Sequence, residues 1–153
     1  MSTGAWVLIV AVVGALAFGG YRAMVDGRFR GTHPVRGSEG GEVESVDDSV
    51  LAGTPWEDQL GERMTLLQFS SAFCAPCRAT RRVLTDVAEK SDGIAHIEVD
   101  AEHHLDLVRH LGILRTPTTL VLDPAGRELS RASGAPTRDQ VLAIVGAPVR
   151  GLD

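Results

Sequence analysis

Met64-Thr-Leu-Leu-Gln-Phe-Ser-Ser-Ala-Phe-Cys-Ala-Pro-Cys-Arg-Ala-Thr-Arg-Arg-Val-Leu-Thr-Asp-Val-Ala-Glu-Lys90 is the stretch that decides how this chain folds. Its first part, Met64 to Ser71, reads as a short buried strand bounded by small polar residues. Its last part, Ala79 to Lys90, repeats apolar residues at Val83, Leu84, Val87 and Ala88 with a helical period. Between them lie Cys74 and Cys77, the only two cysteines of the chain. The CxxC therefore opens a helix.

At that position the unpaired backbone N–H groups and the positive end of the helix dipole favour a thiolate over a thiol. A cysteine there is expected to fall from a free pKa near ~8.5 to about 7 or below and to become nucleophilic near neutral pH. Arg78, Arg81 and Arg82 add positive charge to the same helix. The i, i+3 spacing lets the two sulfurs close a small disulfide ring. Cys74 is the expected attacking thiol and Cys77 the resolving one. Pro76 suits the first helical turn, where its missing N–H costs nothing, and it stiffens the ring.

Other uses of two cysteines fit less well. Structural buried cysteines do not need this spacing. A zinc site needs a second pair of ligands at matching spacing, and a permanent structural disulfide over so short a loop removes little chain entropy. Glu102-His103-His104 with Asp106 and His110 has metal-ligating residue types, but it reads as the solvent face of a helix whose apolar stripe is Leu105, Leu107, Val108 and Leu111.

The 153 residues suffice for one domain with appendages, and a formal net charge of -5 argues against nucleic acid as a partner. Residues 1–21 carry no charged side chain, and Ala5 to Phe18 is almost wholly apolar. The 17 positions from Ala5 to Tyr21 would span about 25 Å as a helix, enough for a thin bilayer core. Trp6 and Tyr21 stand where interfacial aromatics belong. We read a retained transmembrane anchor at 1–21. The competing reading is a cleaved signal peptide with Ala15-Leu16-Ala17 as its small-residue site, although nothing basic precedes the apolar core.

Arg22, Arg28, Arg30 and Arg36 all follow this segment and none precedes it, so the positive-inside rule puts the CxxC in the cytoplasm. The alternative is an extracytoplasmic domain. Residues 22–49 are rich in Gly, Ser, Glu, Asp and Arg and read as a flexible linker. The soluble domain is expected from 50 to 153.

Beyond the CxxC helix, Ile94 to Asp100 alternates like a strand, and a helix is expected over about Glu102 to Leu111, ended by Gly112. Thr118 to Leu122 and Glu128 to Ala132 flank the turn Asp123-Pro-Ala-Gly126 as a hairpin, and a last helix is expected from Arg138 to Val145 with Thr137 as N-cap. This order predicts an α/β fold, a mixed sheet with helices on both faces.

Phe73-Cys-Ala-Pro-Cys77 after one strand, Val99-Asp100-Ala-Glu after the next, Thr116-Pro117-Thr118 at the hairpin's start and Gly134 before the last helix together resemble thioredoxin. The resemblance covers about residues 60–146. It implies the thioredoxin-like three-layer fold, and thioredoxin is also a standard instance of CxxC acidity and redox poise. It further implies a cis Thr116–Pro117 bond facing the cysteines, with Phe73, Thr116 and Pro117 holding a substrate chain while Cys74 reacts.

Departures from the family pattern bear on chemistry. Phe73 stands where a Trp is usual, and Ala75-Pro76 replaces Gly-Pro. Gln68 lies where the family keeps a buried Asp that relays a proton to the second cysteine, and glutamine cannot titrate. His96 occupies the place of that Asp's lysine partner; it is either a replacement base or a half-buried strand residue with a satisfied hydrogen bond.

The function expected is a membrane-anchored thiol–disulfide oxidoreductase, acting as a reductase on protein disulfide substrates, needing no cofactor and recharged by a donor such as a thioredoxin reductase. The alternatives are a redox sensor or adaptor binding a membrane partner, and an extracytoplasmic thiol–disulfide protein for cytochrome or secreted-protein maturation.

Overall fold

The computed structural model describes residues 3–25, 27–31 and 49–147. Helix α1 (Thr3–Val25) is followed by a two-residue strand β1 (Arg30–Gly31) and then by the main body. That body runs β2 (Met64–Ser70), α2 (Ala75–Glu89), β3 (Ile94–Asp100), α3 (Leu105–His110), β4 (Thr118–Leu122), β5 (Glu128–Ser133) and α4 (Arg138–Val145), with a single 3-10 turn at Glu57–Gln59 ahead of it.

The sheet has the order β1-β5-β4-β2-β3. β2 pairs parallel with β3, from Met64 opposite Ile94 to Ser70 opposite Asp100, and antiparallel with β4. This is the mixed sheet that the sequence predicts. The βαβ unit puts α2 on one face, and the period of two divides the side chains between two layers. Leu67, Phe69, Ile97, Val99, Leu120 and Leu122 face one core, covered by Trp56, Leu107 and Val108. Met64, Leu66 and Val121 face the other, with Leu84 and Val87 of α2 and Val141 and Val145 of α4.

On the α2 side the apolar pattern stops partway along the strands. Met64 and Leu66 are followed on that face by Gln68 and Ser70, and Ile94 by His96 and Glu98. Polar side chains therefore replace hydrocarbon under the start of α2, at the carboxyl ends of the parallel strands, where open α/β sheets place their sites.

Boundaries of β3, β4 and α4 follow the sequence reading, and Thr137 caps α4 through a reciprocal capping box with Gln140. The hairpin turn closes on Asp123, whose Oδ1 accepts the N–H groups of Ala125 and Arg127, each at 2.9 Å. The helix expected over Glu102 to Leu111 is shorter. Asp100 Oδ1 accepts the Glu102 N–H at 2.9 Å and its carbonyl accepts the His103 N–H at 3.3 Å, so a turn occupies the expected first turn of that helix. Leu105 is thereby left half-exposed, outside the apolar stripe.

The stretch read as linker also departs from expectation. Gly27 to Gly31 lies against the sheet: Arg30 and Gly31 pair antiparallel with Arg131 and Ser130, and the Gly27 N–H donates to the Ser133 carbonyl at 3.0 Å. Gly27 has φ +75, and a Cβ there would come within 2.2 Å of the Ala135 carbonyl oxygen, so the docking needs glycine. Phe29 supplies the apolar contact that a linker composition hides, packing on the α2 and α4 core. Residues 32–48, which hold most of the expected linker, lie outside the described residues.

Gly4–Tyr21 within α1 is apolar and none of it is buried. Its length and composition fit a membrane span or a signal sequence.

Candidate active site

β2 ends at Ser70, and the chain turns through Ser71 to Phe73 before α2 begins at Ala75. Cys74 is the N-cap of α2, with extended backbone, and its own N–H bonds to the Ser71 carbonyl. Cys74 and Cys77 are joined as a disulfide, with Cα atoms 5.2 Å apart. Cys77 is buried, 2% exposed, while Cys74 is only half-buried, so an incoming sulfur meets Cys74 first. The Cys77 N–H points at Cys74 Sγ from 3.1 Å. One of the orphan donors of a helix start is thus aimed at the outer sulfur, an arrangement that favours a thiolate there once the disulfide is open. Ala75 and Pro76 fill the exposed first turn.

The Thr116–Pro117 peptide bond is cis, as the resemblance implied. Pro117 is buried, and its carbonyl accepts the Gly134 N–H at 2.8 Å. Thr116 is half-buried, with its hydroxyl 3.0 Å from that of Ser71. That contact ties the proline loop to the loop carrying the cysteines. Two large apolar side chains stand out in solvent beside these loops: Phe73, 98% exposed, immediately before Cys74, and Leu114, 96% exposed, three residues before Pro117.

Beneath the cysteines lies a directed chain of hydrogen bonds. Gln68 is fully buried, and its Nε2 donates both to the Cys77 carbonyl at 3.0 Å and to Ser70 Oγ at 2.7 Å. Ser70 in turn donates to Glu98 Oε1 at 2.6 Å, and Arg81 from α2 donates to the same oxygen at 2.7 Å. On the other side, His96 Nε2 lies 3.3 Å from Gln68 Oε1, and His96 Nδ1 lies 3.0 Å from the Thr85 hydroxyl. With Gln68 Oε1 an obligate acceptor, His96 carries its proton on Nε2 and accepts from Thr85 on Nδ1. Burial lowers the His96 pKa below its ordinary value, the nearby Glu98 charge opposing and the Arg81 charge assisting. His96 is a neutral, half-buried residue whose ring nitrogens both have partners.

The residues singled out from sequence thus gather in one place: Phe73 to Cys77 on the α2 side, Thr116 and Pro117 opposite, and Gln68 and His96 below. His103 and His104 are used elsewhere, His103 on the Asp100 carboxylate at 2.9 Å and His104 edge-on to Trp56. Sequence reading passed over Ser70, Ser71, Glu98 and Leu114. Ser70 and Glu98 were accessible from the strand period, each being two residues beyond a position already singled out.

A protein-family model for thioredoxin matches residues 48–147. Thioredoxin H2-1 of Oryza sativa subsp. japonica is 29% identical over 108 residues, which is 67% of this chain and 75% of that protein. Thioredoxin domain-containing protein 2 of Homo sapiens is 33% identical over 60 residues, 39% of this chain but only 11% of that much longer protein. The crystal structure of a reduced thioredoxin from Schistosoma mansoni superposes with a TM-score of 0.53 at 21% identity, covering 65% of this chain and 90% of that one, which shows the shared fold.

Proposed function

The chain belongs to the thioredoxin family and is a thiol–disulfide oxidoreductase, and on that premise we propose that it reduces protein disulfides with Cys74 as the attacking sulfur and Cys77 as the resolving one. The observation that carries this reading is the asymmetry of the pair: Cys74 accessible at a helix N-cap under the Cys77 N–H, and Cys77 buried behind it. In the dithiol state Cys74 attacks a substrate disulfide and forms a mixed disulfide. Cys77 then displaces the substrate's sulfur and closes the ring. Phe73 and Leu114 offer apolar contact, and Thr116 beside the buried Pro117 lines the path along which a substrate chain lies. Ala75 and Pro76 keep the ring compact. Gln68 and His96 hold the base of α2 in register with the sheet.

Residues 5–21 anchor the protein in a membrane, with α1 as a single span. Only one residue separates the end of α1 at Val25 from the docked Gly27. Val25 and Gly27 Cα atoms are then at most about 7.6 Å apart. The anchor holds the domain close to the bilayer surface, with the proline loop near the joint, because Ser133, which binds Gly27, precedes Gly134, which binds Pro117. The basic residues after the span favour a cytoplasmic domain, where glutathione and thioredoxin pools favour net reduction. A thioredoxin-reductase-type donor would return the electrons.

The test is insulin reduction by the full-length chain with dithiothreitol as donor, beside Cys74→Ser. Turnover by the intact chain and none by the variant is the expected result. An intact chain no faster than the uncatalysed background overturns the assignment. Thiol labelling of Cys74 in sealed vesicles decides the side of the membrane, and protection from an impermeant reagent added outside whole cells is expected.

A further inference from the structure

Gln68 cannot titrate, and both ring nitrogens of His96 are engaged away from the cysteines, so the proton that must leave Cys77 needs another destination. A solvent-open cavity of about 350 Å³ lies beside the pair, lined by Ser70, Ser71, Ala72, Cys77, Arg81 and Glu98 among others. The small side chains at 70–72 leave it open to several waters. Cys77, nearly inaccessible elsewhere, borders this cavity. So does Glu98, whose carboxylate is held at a fixed place by Ser70 and Arg81.

We propose that Glu98 is the proton acceptor for Cys77 when the mixed disulfide is resolved, acting through water in this cavity. The proposal rests on the reading of Cys77 as the resolving thiol. In the step, the Cys77 thiol gives its proton through water to the Glu98 carboxylate, and its sulfur forms a bond to Cys74 Sγ. The bond between Cys74 and the substrate's sulfur breaks, and that sulfur leaves with the electron pair as a thiolate, to be protonated by solvent. The substrate disulfide is reduced by two electrons, the CxxC is oxidised by two, and Glu98 returns its proton to bulk water.

The groups that face Glu98 fit the role. Arg81 from α2 pairs with the carboxylate and fixes it at the cavity wall, and Arg78 of the same helix also borders the cavity. Ser70 from β2 donates to it, and His96, next on its own strand face, is neutral. Asp100 is the other described carboxylate on the cavity. Its oxygens are occupied by the Glu102 N–H and by His103, bonds that hold its pKa down. Glu98, by contrast, is joined through Ser70 and Gln68 to the Cys77 carbonyl.

Rapid mixing of the reduced full-length chain with excess 5,5'-dithiobis(2-nitrobenzoate) separates the two steps. Attack by Cys74 releases one thionitrobenzoate at a rate that rises with reagent, and resolution by Cys77 releases a second at a rate that does not. Glu98→Gln is expected to slow the second phase about tenfold near pH 7, less than the usual general-base contribution of about a hundredfold or more, because water in the open cavity still takes the proton. The slowing should be much smaller at high pH, where hydroxide takes the proton unaided. The first phase should be unchanged. Loss of the negative charge alone would favour the Cys77 thiolate and speed the step, so slowing reports proton transfer. Glu98→Asp, which keeps a titrating carboxyl on the cavity, should recover part of the rate.

A second phase in Glu98→Gln within twofold of the parent across pH 5.5–9.5 overturns the proposal, as does equal slowing of both phases at every pH. So does a Glu98→Asp rate no better than that of Glu98→Gln, or a larger effect from Asp100→Asn. If the parent shows no reagent-independent phase, or Cys77→Ser retains it, the reading of Cys77 as resolving thiol fails instead.

Discussion

Replacing Gln68 by leucine tests whether the polar hub beneath the cysteines is a structural necessity. Leucine has similar bulk and fits a fully buried site, so the cavity term is small. What it removes is the amide that joins three partners. The Cys77 carbonyl loses its side-chain donor and the His96 Nε2–H its acceptor, while Ser70 keeps its donation to Glu98. Depriving these two groups of a partner costs about 1–3 kcal/mol each. Burying leucine in place of an amide returns about 1–2 kcal/mol. The net expectation is a loss of about 2–3 kcal/mol, a large share of the 5–15 kcal/mol typical of a domain. For a domain of roughly 100 residues that corresponds to a Tm lowered by about 10–20 °C. Urea unfolding of the oxidised protein should show a lower midpoint with an unchanged m-value. A midpoint shift worth less than about 0.5 kcal/mol would refute the claim that this amide holds α2 and β3 together.

Other perturbations follow from the same geometry. His96 is held below its ordinary pKa of 6.5 by burial, so the unfolded chain binds a proton that the folded one does not. Stability is therefore complete above about pH 6.5 and declines as pH falls below it; His96→Gln should flatten that decline in acid-titrated urea melts, and an identical slope in the two proteins would show that His96 is not its source. Gly27→Val places a Cβ against the Ala135 carbonyl oxygen at positive φ and should undock β1. Faster proteolysis between Val25 and Ser49, with insulin reduction retained, is the expected signature, and an unaltered cleavage pattern would contradict the docking. Phe73→Ser and Leu114→Ser remove side chains that are 98% and 96% exposed, so stability should change by less than about 0.5 kcal/mol. KM for a protein disulfide should rise several-fold, and an unchanged KM in both variants would remove these residues from the binding surface.

Much of this arrangement is legible in the sequence because local rules and the global fold agree. Strand β2, the CxxC at a helix start, β3, β4 and the capped α4 each follow from a short-range pattern, and the placement of Cys74 at an N-cap follows from the junction of two periodicities. What escaped is what depends on pairs distant in sequence. Ser70 and Glu98 meet only because β2 and β3 run parallel with Gln68 opposite Glu98, a register that no single strand reveals. Gly27 to Gly31 looked like linker because composition counts residues, whereas docking turned on one glycine at positive φ and one phenylalanine. The turn at Asp100 shortened α3 because a side-chain oxygen competed with the helix for backbone donors.

The division of labour between the two sulfurs is the central claim, and trapping tests it most directly. Each single variant of the full-length chain is incubated with a disulfide-bonded substrate protein, and the covalent adduct is measured by non-reducing electrophoresis and mass spectrometry. Cys77→Ser should accumulate a mixed disulfide through Cys74 that dithiothreitol releases, while Cys74→Ser accumulates little. Equal adducts in both variants, or an adduct formed mainly through Cys77, would contradict the account.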